Sequence, residues 1–415
     1  MAYDTNRRSF LKATGAAGAV GLTGLAGCSG GGGGSGGRSV KLGLLFPETG
    51  DLGSLGKPMR DAGELAAIIV NDADVDITVD TQSEDTQTDP SQGVSAANSL
   101  VNAGYPMVNG PASSGVNLPV CKQVFIPNNV VGSSPSSTAP SVTSLDDNDL
   151  VYRTAPSDAL QGRVLAQIAY ERQEDRTAST MFVNNDYGQQ LSDAFVGAFE
   201  DKGGTVQQTV SFEKGQSSYT SRLQSALSGN PDTLIVVGYP ESGVQLFKDY
   251  YSNFSGEHNI LLTDGMAEAS MPSKVGNPMD NAKGSAPLPS GPANDFFTQQ
   301  YKDEYGSEPT VFTPHSFDSA MVMILANAHA GENTGSAVKE SMRMVANPAD
   351  GATDVGPDNI AEGISEVLDG NRVNYSGASS SVDFDENGDM SAVTYQYWGF
   401  GDGVIETLAE IQFDQ

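Results

Sequence analysis

The residues best placed to do chemistry follow five short apolar runs. Two loops, Gly110-Pro-Ala-Ser113-Ser114-Gly115 and Gly132-Ser-Ser-Pro-Ser136-Ser137-Thr138, offer hydroxyls and glycines. Hydroxyls with free backbone N–H groups suit a carboxylate or another small anion. Three later loops, Asn184-Asn-Asp186-Tyr187-Gly188, Gly238-Tyr239-Pro240-Glu241 and Thr263-Asp264-Gly265, offer two tyrosines and a carboxylate. That set suits a cation or a polarised N–H beside an apolar body. A zwitterion fits between the two sets, because burying each of its charges is costly unless each is matched. Serine and glycine also follow strands because turns need them, so no single position is telling. Five strand ends together favour a site.

Other chemistry finds less support. Asp383-Phe-Asp385-Glu-Asn387-Gly388 matches the first half of an EF-hand loop, but its twelfth position is Thr394. A hairpin turn is the better reading, and calcium is left open. His258, His315 and His329 are scattered, without metal-ligand spacing. Cys28 and Cys121 are the two cysteines, which excludes a disulfide framework and a cysteine-based zinc site. Cys121 reads as an inert thiol on a buried helix face. Asn253-Phe-Ser255 and Asn374-Tyr-Ser376 are glycosylation sequons by pattern. There is no nucleophile elbow, phosphate loop or histidine–carboxylate constellation, so the expectation is a protein that is not an enzyme and uses neither cofactor nor metal.

The elements that must carry these loops alternate. Val40–Phe46 reads as a strand, and Pro58–Asn71 as a helix with the proline in its first turn. Val75, Ile77 and Val79 alternate as a strand. Asp89-Pro90 caps a helix with Val94, Ala97 and Val101 inward. Strands are expected at 106–109, 129–132, 180–183, 205–212, 232–239 and 259–263, and helices through Val164–Ile168, after Tyr187, at 219–227 and at 243–251. Such alternation means parallel sheets with right-handed crossovers. Roughly 380 residues beyond the leader exceed what a single core holds. Two doubly wound α/β lobes are therefore expected, with connections near 144–158 and 286–292. The boundaries drawn are 40–157 plus 286–393 for the N-terminal lobe and 158–285 plus 394–415 for the C-terminal lobe.

The first 39 residues concern location. Arg7-Arg8-Ser-Phe-Leu, an apolar run to Ala26 and Leu25-Ala-Gly-Cys28 have the layout of an export signal, residues 1–27. Arg7 and Arg8 resemble a twin-arginine signal, and the tetrapeptide ending in Cys28 resembles a lipobox, in which Cys28 takes a lipid. The apolar run is too short to span a bilayer. Residues 28–39, mostly glycine, suit a flexible tether, with folding from about Val40. The whole chain has 22 basic and 52 acidic residues. Losing the leader leaves 19 and 51, a net charge of −32. Self-repulsion on that scale is screened in molar salt, which points to the exterior of a halophile, archaeal by expectation. The same charge disfavours nucleic acid as a partner.

From Val40 onward the chain resembles the type-1 solute-binding proteins of ABC transporters, the leucine/isoleucine/valine-binding family. The resemblance rests on Gly43-Leu-Leu-Phe-Pro-Glu-Thr-Gly50, Ser136-Ser-Thr-Ala-Pro140, Tyr152-Arg-Thr-Ala-Pro156, Asn185-Asp-Tyr-Gly188, Asn230–Tyr239, Tyr301–Gly306, Phe317-Asp-Ser-Ala320 and Val382–Asp389. It implies two lobes closing by a hinge on a small amino-acid-like ligand. It implies that Ser114, with Ser113 beside it, and Ser136 and Thr138 hold the ligand carboxylate. Tyr187 and Tyr239 would supply aromatic surface, and Asp264 would pair with the α-ammonium. The family often has glutamate at the position of Asp264, and the Gly132–Thr138 loop is long for the pattern. The partners so implied are an ABC permease and, through Cys28, the outer face of the membrane, the protein acting as a monomer. Presentation of the ligand to a chemoreceptor, or a short amide, urea or aromatic acid as ligand, are the alternatives.

Overall fold

The run Val40–Phe46 is apolar almost throughout, as a strand covered on both faces must be. In the computed structural model, which describes residues 37–254 and 257–413, it forms β1, Arg38–Phe46. The strand starts two residues earlier than expected. The leader, Arg7, Arg8, Cys28 and nearly all of the tether lie outside the described residues. With β2 (Ile77–Asp85), β3 (Met107–Asn109), β4 (Val131–Ser134) and β5 (Val151–Arg153) it makes an all-parallel sheet of order β2-β1-β3-β4-β5.

A second sheet uses β6 (Thr177–Val183), β7 (Thr205–Phe212), β8 (Thr233–Val237), β9 (Asn259–Leu262) and β10 (Ala282–Pro287). A small parallel pair, β11 (Thr353–Val355) and β12 (Val373–Tyr375), stands apart. The chain then rejoins the second sheet through β13 (Val393–Phe400) and β14 (Ile405–Phe413), giving the order β14-β13-β10-β9-β8-β6-β7. The parallel-sheet lobes expected from the sequence are present, and the second carries an added antiparallel edge. β13 runs antiparallel to β10 and to β14. The turn between β13 and β14 is too short for a crossover, so only an antiparallel pairing is open to them. At this edge Trp398 lies flat against Gly284, where a Cβ would sit 2.2 Å from the indole. The architecture is α/β, with two doubly wound lobes.

The chain passes between the sheets after Arg153, after Pro287 and before Val393. The boundary expected after Ser285 falls inside β10. After the second passage the chain returns to the first sheet with the helix Thr313–Ala330, which packs on the helix Gly53–Asp72 and is buried from Thr313 to Ala328. Asp318 on this helix accepts from the Tyr375 hydroxyl, from the backbone N–H groups of Ala378 and Ser379, and from the Ser379 hydroxyl at 2.5 Å. The motif at Phe317–Ala320 is thus an anchor for the returning chain.

Local details follow the sequence with some shifts. Asp89 caps the helix Pro90–Asn102 by accepting from Ser91 and Gln92 N–H, but its inward face is Gly93, Ala96, Ala97 and Leu100, with Val94 and Val101 half-buried. Pro58 lies inside its helix, not in the first turn. The helix starts where Gly56 N–H bonds the Leu52 carbonyl, and the proline costs it one later bond. Cys121 opens a π-helical turn, Cys121–Phe125, where burial pushes its thiol pKa up. The segment at Asp383–Asp389 is a turn closed by the Phe384–Met390 bridge, with the Asp385 carboxylate accepting from Asn387 and Asp389 N–H. The Asn374 amide of the second sequon is engaged by Asp354 at 2.8 Å. Among the described residues no helix is long and apolar enough to cross a membrane.

Candidate ligand-binding site

In an open α/β sheet the crevice lies where the strand order reverses, beyond the carboxyl ends of the strands. In the first sheet the reversal lies between β1 and β3, and in the second between β6 and β8. The loops after β1 and β3 carry Leu52 and Ser113. Those after β6 and β8 carry Tyr187 and Tyr239. These loops meet. Ser113, Ser114, Ser136, Tyr187, Tyr239 and Asp264 line one cavity of about 20 Å³ between the two sets of strand ends. That is room for about one water, so a larger ligand is admitted only when the lobes part. Thr138, the seventh expected residue, does not line it. It is buried one step back, its carbonyl accepting from Asp158 N–H at 2.8 Å.

The hydroxyl side is stitched together by its own serines. Ser114 Oγ accepts from Ala139 N–H at 3.2 Å, and Ser136 Oγ donates to the Ala112 carbonyl at 3.1 Å. Ser134, not singled out in the sequence, accepts from Ser137 N–H at 2.9 Å and donates to the Pro111 carbonyl at 2.6 Å. Arg153 holds this loop from behind. It donates to the carbonyls of Ser137 and Ala139 and to Thr143 Oγ1, and grips Asp389 with two bonds of 2.6 and 2.7 Å.

On the opposite side Tyr187 and Tyr239 stack, with centroids 5.6 Å apart and planes 13° from parallel. The Tyr239 hydroxyl pairs with Ser113 Oγ at 2.8 Å, joining the two sets of loops. The Tyr187 hydroxyl donates to Asp264 Oδ1 at 2.8 Å, so the Thr263 hydroxyl, 2.7 Å away, must be the donor to Tyr187. Gly265 N–H adds a second bond to Oδ1 at 2.7 Å. Asp264 Oδ2 is buried with no partner among the described residues. Burial raises the Asp264 pKa above the usual carboxylate range, and the bonds from Tyr187 and Gly265, with a smaller contribution from the Gln161 side chain, oppose that rise only in part. What the oxygen lacks is a donor, which an ammonium supplies.

Sequence reading missed several walls and supports. Leu52, Met59 and Phe312 close the apolar side of the cavity. Asp158 and Gln161 lie behind Asp264, and a pattern could have found them. Asp158, Gln161, Leu165 and Ile168 share one helix face at 3-4-3 spacing, so two polar residues hold positions meant for the core. A larger cavity of about 340 Å³ lies beside the connections at Pro156, Pro287 and Thr394. It holds neither tyrosines nor a charged side chain, so the smaller cavity is the better site.

The lobes touch at their rims. Glu241 accepts from Ser54 N–H at 2.9 Å, Ser242 donates to Asp51 at 2.5 Å, and Lys214 reaches the Thr88 carbonyl. Gly115 faces Asn185, and a Cβ there would lie 3.1 Å from the Asn185 Cβ. Gly115→Val should therefore hold the lobes apart and weaken any cleft ligand by roughly tenfold or more, about 1.4 kcal/mol, while the unfolding midpoint stays put. Equal affinity by calorimetry would show that closure does not pass through this contact.

Two facing switch-point crevices, with hydroxyls on one side and a carboxylate and stacked tyrosines on the other, define a two-lobed solute-binding protein. The sequence matches the periplasmic binding protein family over residues 39–354, and the chain belongs to that family. Residues 4–24 match the twin-arginine translocation signal, so the protein is exported from the cytoplasm. It is 24% identical over 315 residues to the leucine-, isoleucine-, valine-, threonine- and alanine-binding protein of Pseudomonas aeruginosa, covering 74% of this chain and 82% of that one. It is 29% identical to the Leu/Ile/Val-binding protein BraC3 of Rhizobium johnstonii, over 55% of this chain and 62% of that one. Of a Leu/Ile/Val-binding protein homolog from Brucella melitensis it spans 55% of the length. The fold superposes on a leucine-binding protein from Thermotoga maritima with a TM-score of 0.75 at 22% identity, covering 90% of this chain and 99% of that one. A Rhodopseudomonas palustris solute-binding protein in complex with benzoate gives 0.73 at 15% identity, covering 90% and 96%. The relatives are binding proteins, and the chain is no enzyme.

Proposed function

We propose that this protein captures an amino acid with an apolar, branched side chain outside the cell and delivers it to an ABC permease. The observation that carries the reading is the buried carboxylate of Asp264, one oxygen of which makes no hydrogen bond, in the wall of the same cavity as Ser113, Ser114 and Ser136. The carboxylate of the ligand would take the serine side and the Ala139–Ser137 loop, with Thr138 supporting that loop. The ammonium would take Asp264, and the side chain would lie against Tyr187, Tyr239, Leu52, Met59 and Phe312. Residues 38–153 with 288–392, and 154–287 with 393–413, would be the closing lobes, moving on the three connections. A lipid on Cys28 would hold the protein at the membrane, and the net charge of −32 would suit a haloarchaeal exterior.

An aromatic acid is a second reading, since a neighbour in fold is a complex with benzoate. The unpartnered carboxylate counts against it, for a bare carboxylate ligand gives Asp264 nothing to bind. Calorimetry in molar salt decides. Leucine, isoleucine and valine should bind with no turnover, and benzoate should not. Silence across amino acids, short amides and urea, with benzoate bound, would overturn the amino-acid reading.

A further inference from the structure

Behind the ammonium side of the cleft lies a group of buried oxygens without donors. Asp158 is fully buried and Asp264 is 2% exposed. Both oxygens of Asp158 and one of Asp264 have no partner among the described residues, and neither have Gln161 Oε1, Thr138 Oγ1 and Ser285 Oγ. Asp158 and Gln161 are neighbours on one helix face, and Gln161 reaches across to the Ser285 carbonyl at 2.9 Å. The cation that acts on Asp158 is Arg153. Its five N–H groups are already committed to Asp389, Ser137, Ala139 and Thr143, so it gives Asp158 no hydrogen bond.

Two carboxylates in such surroundings cannot both be ionised without a counter-charge. Asp264 accepts two close hydrogen bonds, as an ionised group does, whereas Asp158 has no close donor and only the Thr138 hydroxyl beside it. We propose that Asp158 and Asp264 share one proton, carried by Asp158 in the ligand-free protein, and that docking of a ligand ammonium on Asp264 expels that proton to solvent. The proposal rests on the amino-acid reading above. The step balances: the Asp158 O–H bond breaks, the proton leaves to water, and the ammonium keeps all its hydrogens. The pair goes from one negative charge to two as one positive charge arrives, so the net charge of the site is unchanged. The other titratable groups facing the pair are the phenols of Tyr187, Tyr239 and Tyr395. Burial first, and then nearby carboxylates, both members of the pair for Tyr187 and Tyr395 but Asp51 and Asp158 for Tyr239, raise their pKa values, which keeps them neutral across the range of the test. Burial and the neighbouring Asp264 hold Asp158 well above the usual carboxylate range, in keeping with a retained proton. Asp158 is thus a positioning residue, acting on the ligand through Asp264.

The sign of the linkage follows. Protons compete with the ammonium, so affinity should rise with pH while the pair still holds a proton in the free protein, by up to tenfold per pH unit. Above that window it should level off.

The test is calorimetry of the exported chain with L-leucine near pH 6 in phosphate and in imidazole, whose ionisation enthalpies differ. Close to one proton per leucine should be released, and a protonated-carboxyl infrared band of the free protein should vanish on binding. Asp158→Asn should still bind leucine, release no proton and lose the pH dependence. It should also melt higher than the natural protein when ligand-free, which loss of a purely structural carboxylate would not produce. Leucine binding with equal heats in both buffers and a flat pH profile would overturn the shared proton and leave the amino-acid reading intact. Failure of every amino acid to bind would overturn both. If Asp158→Asn does not fold, the two-buffer titration and the infrared band of the natural protein decide alone.

Discussion

Asp264→Asn should cost the protein about 2–5 kcal/mol of amino-acid affinity, roughly 30-fold to several thousand-fold, with Asp264→Ala at the upper end. The geometry dictates why the amide is a poor replacement. Oδ1 is fixed as an acceptor by the Tyr187 hydroxyl and Gly265 N–H. An asparagine must keep its carbonyl there, which turns its NH2 toward the ligand ammonium. Donor would then face donor in a closed, buried cleft. Folding should survive, since the natural carboxylate already has an unpartnered oxygen. The measurement is calorimetry of both variants with leucine beside thermal melts. Full affinity in Asp264→Asn would place the ammonium elsewhere.

Asp389→Ala should cost about 3–5 kcal/mol of folding stability, as when one member of a buried ion pair is removed. Arg153 has no exposed surface, and its partner supplies two of its five bonds. Without Asp389 a full positive charge is left inside with only carbonyls and a hydroxyl hydrogen-bonded to it. Because the same guanidinium holds the carbonyls of Ser137 and Ala139, leucine affinity should fall with stability. The contrast is Asp149→Ala. Its pair with Arg343 is exposed by 43% and 28%, and its loss should cost no more than about 1 kcal/mol. Denaturant unfolding of both variants at one fixed salt concentration measures the difference. Equal losses would mean that burial of Arg153 carries no special cost.

Much of the positioning was legible in the chain. Strand runs such as Thr233–Val237 are short, apolar and β-branched, and Asp89-Pro90 is a helix start that chemistry alone explains. The strand-end rule then brought out Ser113, Tyr187, Tyr239 and Asp264, because loops at a switch point must face each other. What stayed hidden depended on distant partners. Leu52, Met59 and Phe312 look like any apolar residues until the fold assembles them. Pro58 has the local pattern of a helix start, and the bond from Gly56 to Leu52 that sets the true start cannot be seen in such a pattern. Asp158 and Gln161 were visible as polar residues on an apolar face, but only the arrival of β10 and Asp264 beside them gives that oddity a meaning. The antiparallel edge was missed because β13 pairs with a strand more than a hundred residues earlier.

Trp398 is the only tryptophan of the chain, and it lies flat on Gly284 at the edge of the second sheet, away from the cavity walls. Its emission is therefore a built-in optical gauge of that edge. Loss of the edge pairing on unfolding exposes the indole to water and moves its spectrum to the red. Filling of the cleft is read elsewhere, in the absorbance of the stacked tyrosines. Stability and occupancy can thus be followed by two separate colours of light in one unlabelled sample.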